Sequence, residues 1–305
     1  MLVNVPASSK SAAITPSGKY VVTGFDSGAL RVYSLPELRL VGKQENAHST
    51  DVKRLSFNTD GTLLASASLD KTAKLWAVAP DGTLTERQTF SGHTDAIHGL
   101  AFSPNGTILA TASYDGRVGL FTIGTQEKRF IDAHEGYVGS VAFDASGTRL
   151  LSAGYDDKTA RLWDLTTNPP TQTQAFPKAR DRLLWATLSP NGEVMASVGR
   201  DRIVEVYSTH NAQWLHRLVG HEQMIYRAIF SPDGHQLATV SSDATARLWD
   251  LDTGEELFTL RLPAHKGHPA PLWDFDFRCT PTGCWVAVPL THGKLALYEF
   301  GKIYD

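Results

Sequence analysis

Residues 220–254 read GHEQMIYRAIFSPDGHQLATVSSDATARLWDLDTG. A Gly-His pair opens the stretch, and a hydrophobic run leads into a turn that ends on Gly234. A run of small residues carrying Thr239 follows, then a polar turn at Asp243, then a run that closes on Trp249. Pro232 and Gly234 supply a fixed and a permissive φ to the turn, as a tight hairpin requires. The same grammar recurs along the whole chain. Self-similarity at a period of roughly forty residues decides the fold before any single residue does.

The turn glycines are Gly18, Gly61, Gly106, Gly147, Gly192, Gly234 and Gly283, stepping by 43, 45, 41, 45, 42 and 49 residues. The closing aromatics are Tyr33, Trp76, Phe121, Trp163, Tyr207, Trp249 and Tyr298, each 15 residues after its glycine except Trp163, which lies 16 after. Four copies carry a histidine 13 residues before the glycine, at His48, His93, His134 and His221. Nine residues after the glycine stands Asp70, Asp115, Asp156, Asp201 or Asp243. Within a copy such as GTLLASASLDKTAKLWAV (61–78), apolar and small polar positions alternate with a period of two, the pattern of strands with one buried face. Each unit offers three such strands, with a fourth in the variable stretch before the next histidine.

These residues resemble the WD40-repeat family, whose unit runs from Gly-His to Trp-Asp over roughly 40–45 residues. The most specific stretches are DKTAKLWAV (70–78), DDKTARLWDL (156–165) and DATARLWDL (243–251), and the resemblance covers essentially the whole chain. Four-stranded sheets repeated radially make a propeller. The expected fold is therefore all-β, a seven-bladed β-propeller of four-stranded antiparallel blades. Its units are expected at about 6–43, 44–90, 91–131, 132–176, 177–219, 220–262 and 263–305 plus 1–5, in a single domain over 1–305. Too little chain follows Tyr298 for a full outer strand, so Leu2 to Val5 are expected to complete the last blade, as the family closes. So tight a fit to blade boundaries suggests a module belonging to a longer polypeptide.

A chain of 305 residues at this period leaves no room for a second domain and is long enough to bury a large core. The net charge of −3, with no basic run, argues against a nucleic-acid or anionic-membrane surface. No apolar stretch approaches a membrane span, and no signal segment opens the chain. The two cysteines, Cys279 and Cys284, flank the turn TPTG and could face one another across a hairpin, where a disulfide is geometrically conceivable; two buried reduced thiols are the preferred reading, and a cytoplasmic location is expected. The Asn105-Gly106-Thr107 triplet matches a glycosylation acceptor but sits in a repeat turn that needs Asn-Gly anyway.

In the family, a His, a strand Ser or Thr, a turn Asp and a Trp form a hydrogen-bonded tetrad inside the blade. The resemblance carries this onto His48, Ser66, Asp70 and Trp76; onto His134, Ser152, Asp156 and Trp163; and onto His221, Thr239, Asp243 and Trp249. A fourth set, His93, Thr111 and Asp115, ends in Phe121, which donates no hydrogen bond. A Ser-His-Asp set invites a hydrolase reading, but a catalytic site needs one copy and this chain has several. His265, His268, His292, Cys279 and Cys284 gather in the last unit, yet the repeat register accounts for most of them and Cys-x4-Cys is loose for zinc. No metal and no cofactor is expected. Units one, five and seven are degenerate, and TTNPPTQTQAFPKARD (166–181) reads as a long stiffened connection or an exposed loop.

The family's narrower face is built from the loop ahead of the inner strand and the turn between the second and third strands. Register places there Lys53, His98, Tyr226 and Trp273, then Tyr137, Arg182 and Met224, then Tyr114, Tyr155 and Arg200. Aromatics and arginine are the residues enriched at binding hot spots, and Arg182 and Arg200, with Lys53 and His98, suit an acidic or phosphorylated segment. The expectation is a non-catalytic protein- or peptide-interaction scaffold using this face. The alternatives are a sensor or autoinhibitory domain of a larger signalling NTPase, kinase or protease, and a propeller enzyme. For the last, the sequence offers no GxxxxGK[ST] or GxSxG, and only Asp274 and Asp276 approach an unexplained carboxylate pair.

Overall fold

The computed structural model describes residues 2–4, 8–261, 275–280, 283–290 and 294–300. Strand β1 (Leu2–Asn4) precedes the repeats. Repeat one supplies β2 (Ser9–Ile14), β3 (Tyr20–Phe25), β4 (Leu30–Ser34) and β5 (Leu40–Gln44). Repeat two supplies β6 (Val52–Phe57), β7 (Leu63–Ser68), β8 (Ala73–Val78) and β9 (Leu84–Phe90). Repeat three supplies β10 (Ile97–Phe102), β11 (Ile108–Ser113), β12 (Arg117–Thr122) and β13 (Lys128–Asp132). Repeat four supplies β14 (Val138–Phe143), β15 (Arg149–Gly154), β16 (Ala160–Asp164) and β17 (Thr171–Ala175). Repeat five supplies β18 (Leu183–Leu188), β19 (Val194–Gly199), β20 (Ile203–Ser208) and β21 (Trp214–Val219). Repeat six supplies β22 (Ile225–Phe230), β23 (Gln236–Ser241), β24 (Thr245–Asp250) and β25 (Glu256–Arg261). Repeat seven supplies β26 (Asp276–Thr280), β27 (Gly283–Leu290) and β28 (Lys294–Phe300).

Each repeat forms a four-stranded antiparallel sheet in sequence order, and β1 takes the fourth place beside β28, with Leu2 opposite Ala296 and Asn4 opposite Lys294. Val5 lies outside the described residues. The chain divides into two compact units, Met1–Phe102 with Leu272–Asp305, and Ser103–Pro271. The single ring of seven equivalent blades expected from the repeat count is corrected on this point. Six of the sheets lie whole within a unit, three in each, while the boundary at Phe102/Ser103 falls among the strands of repeat three. The spacing of turn glycines counts repeats along the chain. It carries no information on how the sheets partition between compact bodies.

Inside the second unit the inner strands follow one another, β14 against β18 and β18 against β22. Apolar side chains of successive sheets fill the space between them. One cluster joins Leu151, Leu162, Phe176, Leu183 and Tyr207, and the next joins Trp185, Val204, Ile225, Leu237 and Trp249. In the first unit Val22, Leu30, Val52, Leu55 and Trp76 pack in the same way. The proline-bearing stretch after Thr166 is not a free loop. It contains β17, paired with β16, and seats Phe176 in the core with its amide bonded to the Ala160 carbonyl at 2.9 Å.

Two irregularities repeat from sheet to sheet. The inner strand carries an extra residue just after its start, at Lys10, Lys53, Gly139, Leu184 and Tyr226. The outer strand carries another beside the closing aromatic of the third strand, at Val41, Arg87, Thr173, Leu215 and Leu257. A bulge bends its strand and redirects a side chain, and it is common at sheet edges and beside functional sites.

Candidate functional site

The repeated histidines lie inside the blades. His48 Nδ1 is 2.9 Å from Asp70 Oδ2, its Nε2 is 2.7 Å from Ser66 Oγ, and Trp76 Nε1 donates to the same hydroxyl at 2.9 Å. His221 repeats the arrangement with Asp243 at 2.8 Å and Thr239 at 2.8 Å, and Trp249 donates to Thr239 at 2.9 Å. One direction of donation satisfies every group: indole N–H to hydroxyl, hydroxyl to Nε2, and Nδ1–H to carboxylate. The hydroxyls of Ser66 and Thr239 are completely buried and already committed at both ends. A nucleophile needs an open lone pair facing a substrate, so these sets brace the blade. A fifth partner escaped the sequence reading: Thr72 and Thr245 each donate a hydroxyl to the other carboxylate oxygen at 2.6 Å.

In repeat four the expected Asp156 is corrected to Asp157. His134 Nδ1 meets Asp157 Oδ2 at 2.9 Å, with Ser152 at 2.7 Å from Nε2 and Trp163 donating to Ser152 at 2.9 Å. Counting forward from Gly147 lands one residue short, because this turn holds one residue more than the others. Counting back six from the tryptophan, or reading Asp-x-Thr, gives Asp70, Asp157 and Asp243 alike. Asp156 instead stands on the surface and accepts the Tyr137 amide at 3.3 Å. In repeat three Asp115 pairs with Arg117 at 2.9 Å, Thr111 donates to the Gly119 carbonyl at 3.4 Å, His93 is buried, and Phe121 meets Phe130 edge-on.

Burial alone would raise the tetrad carboxyls. Hydrogen bonds from histidine and threonine outweigh it, holding Asp157 at about 2 and Asp70 and Asp243 well below the usual carboxylate range. A depressed folded-state pKa stabilises above the unfolded value, and that contribution is lost as pH falls through the folded one. Stability is therefore expected to hold down to about pH 4, where free aspartate titrates, and to fall as pH approaches 2. Urea midpoints measured from pH 6 to pH 2 check this, and Asp157→Asn is expected to flatten the decline.

At one end of repeats one, two, four, five and six, the loop entering the inner strand meets the turn between the second and third strands. The turn residue ahead of the Asp slot donates its amide to the loop: Leu69 to Asp51 at 3.1 Å, Tyr155 to Tyr137 at 2.8 Å, Arg200 to Arg182 at 3.0 Å and Ser242 to Met224 at 3.0 Å. The residue after the Asp is left-handed and reaches the next repeat when it is cationic. Lys71 Nζ donates to the Thr94 carbonyl at 2.9 Å, Lys158 Nζ to Arg180 at 3.3 Å, and Arg202 Nη1 to Glu222 at 3.4 Å.

In the second unit these ties draw an aromatic and basic row together. The Tyr114 and Tyr137 rings lie 4.2 Å apart between centroids and the Tyr137 and Tyr155 rings 5.0 Å apart, tilted by 53° and 44°. Burial, with the neighbouring tyrosines and Asp156, pushes the Tyr137 hydroxyl well above its ordinary range. The Arg182 guanidinium lies 5.2 Å over the Tyr155 ring and 3.7 Å from Asp156, and Arg200 Nη1 donates to Tyr155 Oη at 3.5 Å. Tyr114 is 39% exposed, and both arginines are exposed. Met224 and Tyr226 are half-buried at the start of β22, with Tyr226 at its bulge.

Of the remaining expected contributors, Lys53 and His98 belong to the first unit, Lys53 at the β6 bulge with its ammonium 3.2 Å from Asp51. Trp273 lies outside the described residues, as do Asp274, His265, His268 and His292. Asp276 accepts the Ile14 amide at 2.8 Å, a structural use. Cys279 and Cys284 are opposite one another in the β26–β27 ladder. Among the described residues, no group of three His, Cys, Asp or Glu side chains could hold a metal ion, and no helix is long and apolar enough to cross a membrane.

Tandem four-stranded antiparallel sheets, three of them tied by a buried His-Ser/Thr-Asp-Trp chain, define a class of repeat protein. The profile described as "WD domain, G-beta repeat" matches residues 41–77, 84–122, 125–164 and 212–250, half of the chain. The chain belongs to the WD40-repeat family. The matched stretches fall on repeats two, three, four and six, those with a histidine opening. Among curated proteins, the chain is 27% identical over 244 residues to "Apoptotic protease-activating factor 1" of Rattus norvegicus, covering 80% of this chain and 16% of that protein. It is 28% identical over 310 residues to "Nuclear distribution protein PAC1" of Arthroderma otae, covering 90% of this chain and 66% of that protein. It is 27% identical over 146 residues to "Guanine nucleotide-binding protein subunit beta" of Solanum tuberosum, covering 46% and 38%. The chain thus spans from 16% to 66% of the length of these relatives.

Proposed function

We propose that the chain is a non-catalytic recognition module that docks a peptide segment of a partner protein on the loop end of the second unit. The observation that carries this reading is the row Tyr114, Tyr137, Tyr155, Arg182 and Arg200, contributed by consecutive repeats. It offers a large apolar area with polar edges, the composition of binding hot spots. Similarity to WD-repeat proteins supports the reading at the level of class. Single-stranded nucleic acid is the weaker fit, because bases need open aromatic faces and these rings are packed upon one another.

Random peptides displayed on phage and selected on the folded chain test the proposal. The recovered binders are expected to lose at least ten-fold in affinity on Tyr155→Ala or Tyr114→Ala, and to be indifferent to Thr173→Ala on β17. Binders insensitive to both tyrosine variants would place recognition elsewhere.

A second reading has one observation in its favour. The alignment takes most of this chain but 16% of the rat relative, which suits a sensor or autoinhibitory part within a larger signalling protein.

A further inference from the structure

Repeat five has lost the internal brace, with Ala179 where the histidine belongs and Tyr207 where the tryptophan belongs. In the same two loops it carries Arg-Asp-Arg twice, at 180–182 and 200–202. Arg202 is tied to the next repeat, and the Arg180 carbonyl receives Lys158. Arg182 and Arg200 remain, their backbones joined by the 3.0 Å bond and both guanidiniums set against Tyr155.

Their charge is partly compensated, with the Asp181 carboxylate acting on Arg200 without pairing with it. Arg182 has Asp156 at 3.7 Å, an exposed pair of little strength, and among the described residues Arg200 has no ion pair. The carboxylates of Asp181 and Asp201 are engaged locally, Asp181 Oδ1 with the Arg182 amide at 2.7 Å and Asp201 Oδ1 with the Ile203 amide at 3.3 Å. Two planar forks held by one tyrosine suit an anion with several oxygens and more than one charge. A phosphate monoester has three such oxygens and a charge of about −1.5 to −2, whereas a carboxylate needs only one fork.

Resting on the docking role above, we infer that the Arg182–Arg200 pair is the seat for a phosphorylated side chain of the docked peptide. The tyrosine row then sets the sequence around it. Tyr114 lies no more than about 9 Å from Tyr155, close to three residues of extended chain. The peptide therefore carries a large apolar residue about three positions from the phosphate.

The test uses the full chain and a fluorescent degenerate library, Ser-phosphorylated at the centre with Leu or Phe three residues away. The same library unphosphorylated, and the same with Glu at the centre, are the other arms. The expected result is at least ten-fold tighter binding of the phosphorylated arm than of either other arm. That preference is expected to collapse in Arg200→Ala and in Arg182→Ala and to survive in Arg129→Ala. Both arginines are exposed, so unchanged thermal unfolding verifies that the variants are folded. Equal binding of the three arms with a silent Arg200→Ala overturns the phosphate seat and leaves the docking surface standing. Equal binding of the Glu and phosphorylated arms assigns the seat to carboxylate and overturns it as well. A folded chain that retains no arm overturns the docking reading together with the seat.

Discussion

Asp157→Asn is expected to destabilise the second unit by about 2 kcal/mol, while Asp156→Asn changes stability by no more than about 0.5 kcal/mol. The two residues are neighbours in sequence and unlike in circumstance. Asp157 receives Nδ1 of His134 and both the amide and hydroxyl of Thr159, and its side chain is 7% exposed. An amide there has one oxygen for two sets of donors, so its NH2 faces either His134 Nδ1–H and Arg161 or the Thr159 amide. Reversing the histidine tautomer relieves the clash at Nδ1 but sets Nε2–H against the Ser152 hydroxyl, itself occupied by Trp163. Any arrangement leaves one buried polar group unsatisfied. Asp156 keeps an exposed carboxylate near Arg182, and water replaces what an amide loses. Urea unfolding of the two variants side by side checks the assignment, and equal losses would return the brace to Asp156.

Gly199→Ala is the second large effect, about 3 kcal/mol of destabilisation. A methyl at this position meets the Arg182 carbonyl oxygen at 2.2 Å and its carbon at 3.1 Å, both main-chain atoms that cannot turn aside. The same carbonyl accepts the Arg200 amide, so the methyl also parts the two arginine loops. Gly106→Ala is the reference. Nothing lies within 4 Å of its added carbon, and its φ of +70° limits the cost to about 1 kcal/mol. Thermal unfolding separates the two, and peptide binding is expected to fall for Gly199→Ala alone. Comparable melting of both variants would show that the close approach has room to relax.

The strands were readable because a half-buried strand imposes a period of two and each hairpin demands its glycine. Those constraints are local. The brace was readable wherever the turn length was constant, and failed by one residue where Asp156-Asp157 lengthened it, since a count from one landmark cannot see an insertion before the next. The share of Thr72, Thr159 and Thr245 stayed hidden, because a turn threonine has ordinary uses of its own. Register put Tyr114, Tyr137 and Tyr155 at one end of their blades, yet it could not say that their rings would touch. That depends on the bulges, on the amide ties between loops and on the lean of one sheet upon the next. The partition into two units depends on packing summed over whole sheets, and no spacing encodes it.

The extra residue in β5, β9, β17, β21 and β25 also bears on solubility. An unpaired strand edge invites another chain to continue the ladder, but a guest strand laid along these five meets a break in hydrogen-bond spacing partway and loses alignment. Strand β13 has no such interruption, its ladder with β12 running evenly from Arg117 to Phe121. It presents Lys128, Arg129 and Asp132 to solvent instead. Filament growth is thus opposed by geometry on five edges and by charge on this one, and neutralising those three side chains is where polymerisation would begin.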